Sequence, residues 1–344
     1  MCNCFNGILI GVILFCSALN AQDYTPGKMV SEIVCEKDSA ASYILYLPRC
    51  YDSAREEKWP VMFVMAPKGG SEARLQLYVP GADQCGWILA MSIQSKNGYA
   101  GSSKAIQAMV DDVFKRFPVN KRRCYASGFS GGAREAFRLS SEMPGSMVGI
   151  IPCGAGDSGH EVNTRVLVYG LSGAICPNRQ EMAKTFSERI KKQGVLRFFP
   201  GKHVWPDETR LLEAMVWMNG QYFEKQRRAD EAELAEFSAK LLADIKANHG
   251  NKPDAYELCR ILAGIKKAPA ADEAGQLLME MEKDPTVKTY QDAMKDVAGF
   301  SEKYFSGGLA NTEEAEMESL KLAEKYTNTP YVELMTGLGK TAKW

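Results

Sequence analysis

Histidine is scarce in this chain of 344 residues, which has three: His160, His203 and His249. Any chemistry that needs an imidazole must draw on one of them. An excess of either charge is also missing, since Lys+Arg and Asp+Glu both number 42 and the sequence pI is near 6.8. That balance gives no global attraction to nucleic acid or acidic membranes, so no nucleic-acid partner is expected. Closely spaced cysteine pairs are absent once the leader, with Cys2 and Cys4, is passed. Beyond the leader, Cys35, Cys50, Cys85, Cys124, Cys153, Cys176 and Cys259 form an odd set without a C-x-x-C metal pattern, so no metal or other cofactor is expected. Cys124 and Cys153 lie in or beside apolar runs and read as small buried thiols, while a disulfide such as Cys35–Cys50 stays open. No apolar run is long enough for a comfortable membrane span. Residues 7–18 (GILIGVILFCSA) have signal-peptide length instead, although residues 1–6 carry no Lys or Arg. Leu19, Asn20 and Ala21 offer a small-residue cleavage point, and an exported protein, periplasmic or extracellular, is the expectation. An uncleaved leader or a lipidated Cys16 would tether it, but Phe15 is bulkier than a lipidation signal favours.

What is present is a change of texture near residue 223. Between about residues 30 and 222 short apolar runs alternate with helical stretches. Residues 42–48, 61–66, 87–92, 123–127, 147–152, 165–169 and 195–199 read as strands. Residues 103–117, 133–143 and 179–192 read as helices, the first with Ile106, Met109, Val110, Val113 and Phe114 at helical spacing. Strands apolar on both faces, alternating with helices, predict an α/β fold with a mostly parallel central sheet covered on both sides. Residues 224–344 are rich in Ala, Glu, Lys and Leu without a convincing strand, and six helices are expected there. The predicted division is a signal peptide at 1–21, an α/β domain at 22–223 and a C-terminal all-helical domain at 224–344. The helical part reads as a packing element or a docking face for a protein partner.

The most informative motif is residues 125–132 (YASGFSGG), in which Ser130 sits between Gly128 and Gly132 as Gly-x-Ser-x-Gly. Between a strand and a helix this spacing builds a sharp turn that lifts the serine above the sheet, and glycine removes the collisions such a turn creates. A serine hydroxyl is a weak nucleophile unless an imidazole takes its proton. His203, in residues 199–206 (FPGKHVWP), follows the last predicted strand and is the expected base. His249, beside Gly250, reads as a helix C-terminal cap, and His160 as a residue near the edge of the site.

Residues 47–51 (LPRCY), 65–71 (MAPKGGS), 117–132 (FPVNKRRCYASGFSGG) and 201–206 (GKHVWP) together resemble extracellular α/β-hydrolase esterases related to polyhydroxybutyrate depolymerases and feruloyl esterases. The resemblance covers about residues 30–220 and leaves the helical part outside. It implies an α/β-hydrolase fold and acyl transfer to water, with Ser130 attacking an ester carbonyl and His203 moving the proton. It further implies an oxyanion hole from the Gly131 N–H and a second donor after the strand at 61–66, near Lys68. The usual His-Gly opening of that loop is here Ala66-Pro67-Lys68, and Pro67 has no N–H, so Lys68 or Gly69 must donate.

The third member of the triad departs from the pattern. The loop after residues 165–169 reads GLSGAICPN over 170–178, without a carboxylate, and Cys176 falls near the acid's position. Cysteine does not hold an imidazole as an ionised Asp does. Asp157, in residues 154–159 (GAGDSG), follows the preceding strand and is the expected orienter, while Glu181 and Asp207 read as capping charges. The expected function is hydrolysis of a small-molecule or polymeric carboxylic ester through an acyl-enzyme at Ser130. The alternatives are a catalytically impaired α/β-hydrolase with a binding or assembly role and, below it, a serine peptidase. Trp87 and Trp205 are candidates for aromatic contact with substrate.

Overall fold

The structure, a computed structural model, describes residues 24–159, 165–225, 230–248, 252–306 and 313–340. The leader with Cys16 and Ala21, and His160 and His249, lie outside the described residues. No described helix is long and apolar enough to cross a membrane.

Eight strands form one sheet: β1 (Met29–Cys35), β2 (Asp38–Tyr46), β3 (Trp59–Met65), β4 (Ile88–Ser92), β5 (Val119–Phe129), β6 (Met147–Cys153), β7 (Leu167–Gly173) and β8 (Gly194–Phe199). Their order is β1-β2-β4-β3-β5-β6-β7-β8. The pairs β1/β2 and β2/β4 are antiparallel, and all the others are parallel. β1 was not expected from the sequence. It is an edge strand whose Ser31 and Glu32 are exposed and interrupt the apolar pattern that marks the inner strands.

Short helices α1 (Glu72–Leu75) and α2 (Val79–Cys85) precede β4; α3 (Ser102–Arg116) precedes β5, and α4 (Gly131–Glu142) follows it. α5 (Arg179–Thr185) joins β7 to β8 through a π-turn at Phe186–Ile190, and α6 (Glu208–Lys225) leaves β8. Alternate residues of the inner strands feed two cores, as a period-two pattern requires. Phe63, Ala126, Ile150 and Val168 meet α3 and α4 on one face. Met62, Val64, Tyr125 and Tyr169 meet α2 and α6 on the other. This doubly covered sheet, with a serine turn after its central strand, is an α/β-hydrolase fold.

The described residues of the C-terminal third form helices α7 (Glu231–Ala247), α8 (Lys252–Ala263), α9 (Ala271–Met281), α10 (Pro285–Phe300), α11 (Glu313–Lys325) and α12 (Val332–Gly339). Asp230 caps α7 by accepting from the Ala232 and Glu233 amides, and Asp284 caps α10 ahead of Pro285. These helices share a core with the sheet. The cluster holding Tyr125 and Tyr169 continues without a break through Phe223, Phe237, Leu241, Ile245 and Leu262 to Val287. Trp87 belongs to this core rather than to a substrate surface. It is fully buried, stacked on Tyr125 at 3.8 Å, and donates its indole N–H to Asn219 at 3.1 Å.

Candidate active site

β5 ends at Phe129 and α4 begins at Gly131, so Ser130 alone makes the turn between them. Its backbone sits at φ 55°, ψ −117°, a region that side-chain-bearing residues rarely occupy and that only an over-determined surrounding sustains. The glycines explain how the chain accepts it. A Cβ on Gly128 would lie 2.4 Å from the Gly132 carbonyl oxygen, and one on Gly132 would lie 2.2 Å from the Met65 carbonyl oxygen. Both obstacles are backbone atoms. The same packing sets the end of β3 and the loop that follows it against the first turn of α4.

His203 arrives on a loop zipped to the one after β7. Ala174 and Ile175 donate their N–H groups to Phe199 and Gly201 at 2.8 and 2.9 Å, and Gly173 packs so closely that a Cβ would sit 2.1 Å from the Lys202 carbonyl oxygen. The result places His203 Nε2 2.9 Å from Ser130 Oγ. Phe129 lies beside the imidazole, with ring centroids 4.5 Å apart, and Trp205 packs on Phe129 at 5.2 Å. Burial, assisted by the Arg134 guanidinium on α4, holds the His203 pKa below the ordinary histidine value. The imidazole is therefore neutral at neutral pH, the state in which it can accept a proton.

The same zipping carries Cys176 to the far side of the ring, where its Sγ lies 3.1 Å from His203 Nδ1. Asp157, the residue expected there, is engaged elsewhere. Its buried carboxylate accepts from Thr185 Oγ1 at 2.8 Å and is ion-paired with Arg189, fastening the loop after β6 to α5 and its π-turn. Glu181 pairs with Arg134 at 2.9 Å and accepts from Ser158. Asp207 caps α6 through the Arg210 amide at 3.0 Å, as expected.

Gly131 opens α4 directly after the serine, with the Asn97 side-chain amide packed against it. Asn97 donates its backbone N–H to Pro67 at 3.0 Å, and Lys68 pairs with Lys96 in an isolated bridge. Gly69 and Gly70 direct their N–H groups to the Ala66 and Ile93 carbonyls. Of the two donors that Pro67 leaves open, Gly69 is thus engaged with the Ala66 carbonyl of its own loop. Asn97 and Arg134 carried no motif that could have singled them out in the sequence. They reach the site through folding alone.

Among the described residues no group of side chains could hold a metal ion. A cavity of about 790 Å³ opens between β8 and the helical half, lined by Arg197, Arg210, Tyr290 and Tyr331, and it takes in none of Ser130, His203 or Cys176.

No family model matches the chain, and no curated protein matches it. Solved structures similar to part of the chain include the following. A thermostable esterase is 14% identical with a TM-score of 0.41, the match covering 54% of this chain and 60% of that one. A fluorophosphonate-binding serine hydrolase from Staphylococcus aureus is 12% identical with a TM-score of 0.45, covering 56% and 99%. A ferulic acid esterase is 12% identical with a TM-score of 0.47, covering 57% and 99%.

Proposed function

We propose that this protein is a serine hydrolase that cleaves carboxylic esters through an acyl-enzyme at Ser130. The observation that carries the reading is the 2.9 Å contact between Ser130 Oγ and His203 Nε2 at a strained strand-to-helix turn. His203, neutral through burial, takes the serine proton as Oγ attacks the ester carbonyl, then returns it to the leaving alcohol. Water repeats the sequence to free the acid. The developing oxyanion is met by the Gly131 N–H and the Lys68 N–H, a type of contact worth about 2.7–4 kcal/mol for each donor. Phe129 and Trp205 supply the apolar wall, which suits an ester with an apolar or aromatic part. Small-molecule and polymeric esters both fit this chemistry, and export after cleavage near Ala21 belongs to the same proposal.

The place of Cys176 Sγ, 3.1 Å from His203 Nδ1, favours a second reading, a binding protein of reduced activity, because a thiol holds an imidazole less firmly than an ionised Asp does. A fluorophosphonate probe and a panel of p-nitrophenyl esters decide between them. Covalent labelling at Ser130, with turnover lost in Ser130→Ala, supports the enzyme. No labelling, and turnover equal in both proteins, refutes it.

A further inference from the structure

Cys176 occupies a place where its thiol can serve both neighbours at once. Its Sγ is 3.1 Å from His203 Nδ1 and 3.7 Å from the Gly154 carbonyl oxygen, toward which the S–H points. The side chain is fully buried. Burial pushes the thiol pKa up, so it stays protonated. A protonated thiol has one proton to give and lone pairs to receive with. With the S–H on Gly154, the sulfur accepts from Nδ1–H. That hydrogen-bond order leaves Nε2 without a proton, which is the tautomer that can accept one from Ser130 Oγ.

We propose that Cys176 is the positioning residue of a Ser130–His203–Cys176 triad, accepting Nδ1–H while donating its own S–H to the Gly154 carbonyl. This rests on the serine-hydrolase reading above and adds what holds the base. The chain of hydrogen bonds runs from Ser130 Oγ–H to Nε2, from Nδ1–H to Sγ, and from S–H to the carbonyl. Every proton has one acceptor.

Three features show that the thiol is built in. The Cys176 amide is tied to Gly173 at 3.0 Å, and its carbonyl accepts from Arg179 at 3.1 Å. Gly154 takes φ +67°, and a Cβ there would lie 3.3 Å from the His203 ring and 2.8 Å from Phe129, so the carbonyl approaches only because the residue is glycine. Asn178 donates to the same carbonyl at 2.7 Å and fixes its direction.

A thiol fixes the tautomer but brings no negative charge to the imidazolium formed in the transition state. An orienting group that selects the wrong tautomer costs a hydrolase about four orders of magnitude. Here the thiol selects the right tautomer but brings no charge of its own, so it is expected to slow turnover without abolishing it. Among the described residues, Glu181 pairs with Arg134 and Asp157 with Arg189.

The test compares Cys176→Ser, Cys176→Ala and Cys176→Asp with the wild type by fluorophosphonate labelling rate, the pH profile of kcat/KM, and ¹⁵N shifts of labelled histidine. Cys176→Ser, which keeps both roles, is expected to retain labelling. Cys176→Ala should slow labelling about tenfold or more and shift the His203 nitrogens toward a mixture of tautomers. Cys176→Asp should move the acid limb to higher pH, because a carboxylate at Nδ1 stabilises the imidazolium. If Ser130 labels normally and all three variants match the wild type in rate, acid limb and ¹⁵N shifts, the Cys176 role is wrong while the hydrolase stands. If Ser130 does not label in any of the proteins, the hydrolase reading itself falls.

Discussion

Replacing Glu257 by alanine is expected to destabilise both halves of the molecule together. Glu257 lies on α8 with 5% of its surface exposed and joins elements from both sides. It accepts from Arg197 of β8 at 3.0 Å, from Tyr290 of α10 at 2.9 Å and from Arg260 at 2.6 Å. Burial alone would raise its pKa, but the guanidinium groups of Arg197 and Arg260 outweigh it and hold the carboxyl below its ordinary value. Glu213, also within 3.6 Å of Arg197, shows the opposite balance and is pushed up by burial. Glu257 therefore carries the charge that Arg197 needs. Removing one partner of a buried pair costs about 3–5 kcal/mol, whereas Arg260, with 43% of its side chain exposed, forms a bridge worth at most about 1 kcal/mol. The assay is urea unfolding followed both by far-UV circular dichroism, dominated by the helices, and by tryptophan fluorescence. The fluorescence is weighted toward the sheet part, because four of the five tryptophans, Trp59, Trp87, Trp205 and Trp217, lie there and only Trp344 follows the helices. Both curves should coincide and shift together in Glu257→Ala, with Arg260→Ala near the wild type. A shift confined to circular dichroism, or one no larger than that of Arg260→Ala, would refute the reasoning.

Gly132→Ala should abolish fluorophosphonate labelling or prevent folding, because its Cβ would meet the Met65 carbonyl at 2.2 Å; soluble, labelled protein would contradict the close approach. Arg134→Gln removes a cation that depresses His203, so the acid limb of kcat/KM should move to higher pH; a shift to lower pH would count against that placement. Asp157→Ala should lower thermal stability by about 1–3 kcal/mol, through the Thr185 and Arg189 groups it strands, while labelling of Ser130 persists. Loss of labelling at unchanged stability would instead return Asp157 to the site.

The serine turn and the histidine that meets it were legible in the sequence because both rest on local constraints. Gly-x-Ser-x-Gly encodes a backbone shape, and with three histidines in the chain the search for a base is short. Although the cap at Asp230 that starts α7 was not read, the helices after residue 224 were legible from composition, a stretch rich in Ala, Glu, Lys and Leu without strand-like runs. The third triad position was not. Asp157 has the right chemistry and the right strand, but its partners Thr185 and Arg189 lie about thirty residues away, and no local signal announces them. Cys176 had the right position and a chemistry that reads as wrong until the Gly154 carbonyl is seen on its other side. β1 escaped notice because an edge strand open to solvent does not need an apolar run.

The shared core also has a consequence for synthesis. The face of α2 and α6 is covered by residues made later, ending at Val287, some sixty positions beyond Lys225. At about 5–20 residues per second, a ribosome leaves that apolar face uncovered for roughly 3–12 s. Through that interval the sheet and its serine turn already exist as chain, but without α7 and α8, which pack on Phe223 and Gly220. The nascent protein thus passes through a sticky stage in which chaperone protection matters most, and a fragment ending near Lys225 would never leave it.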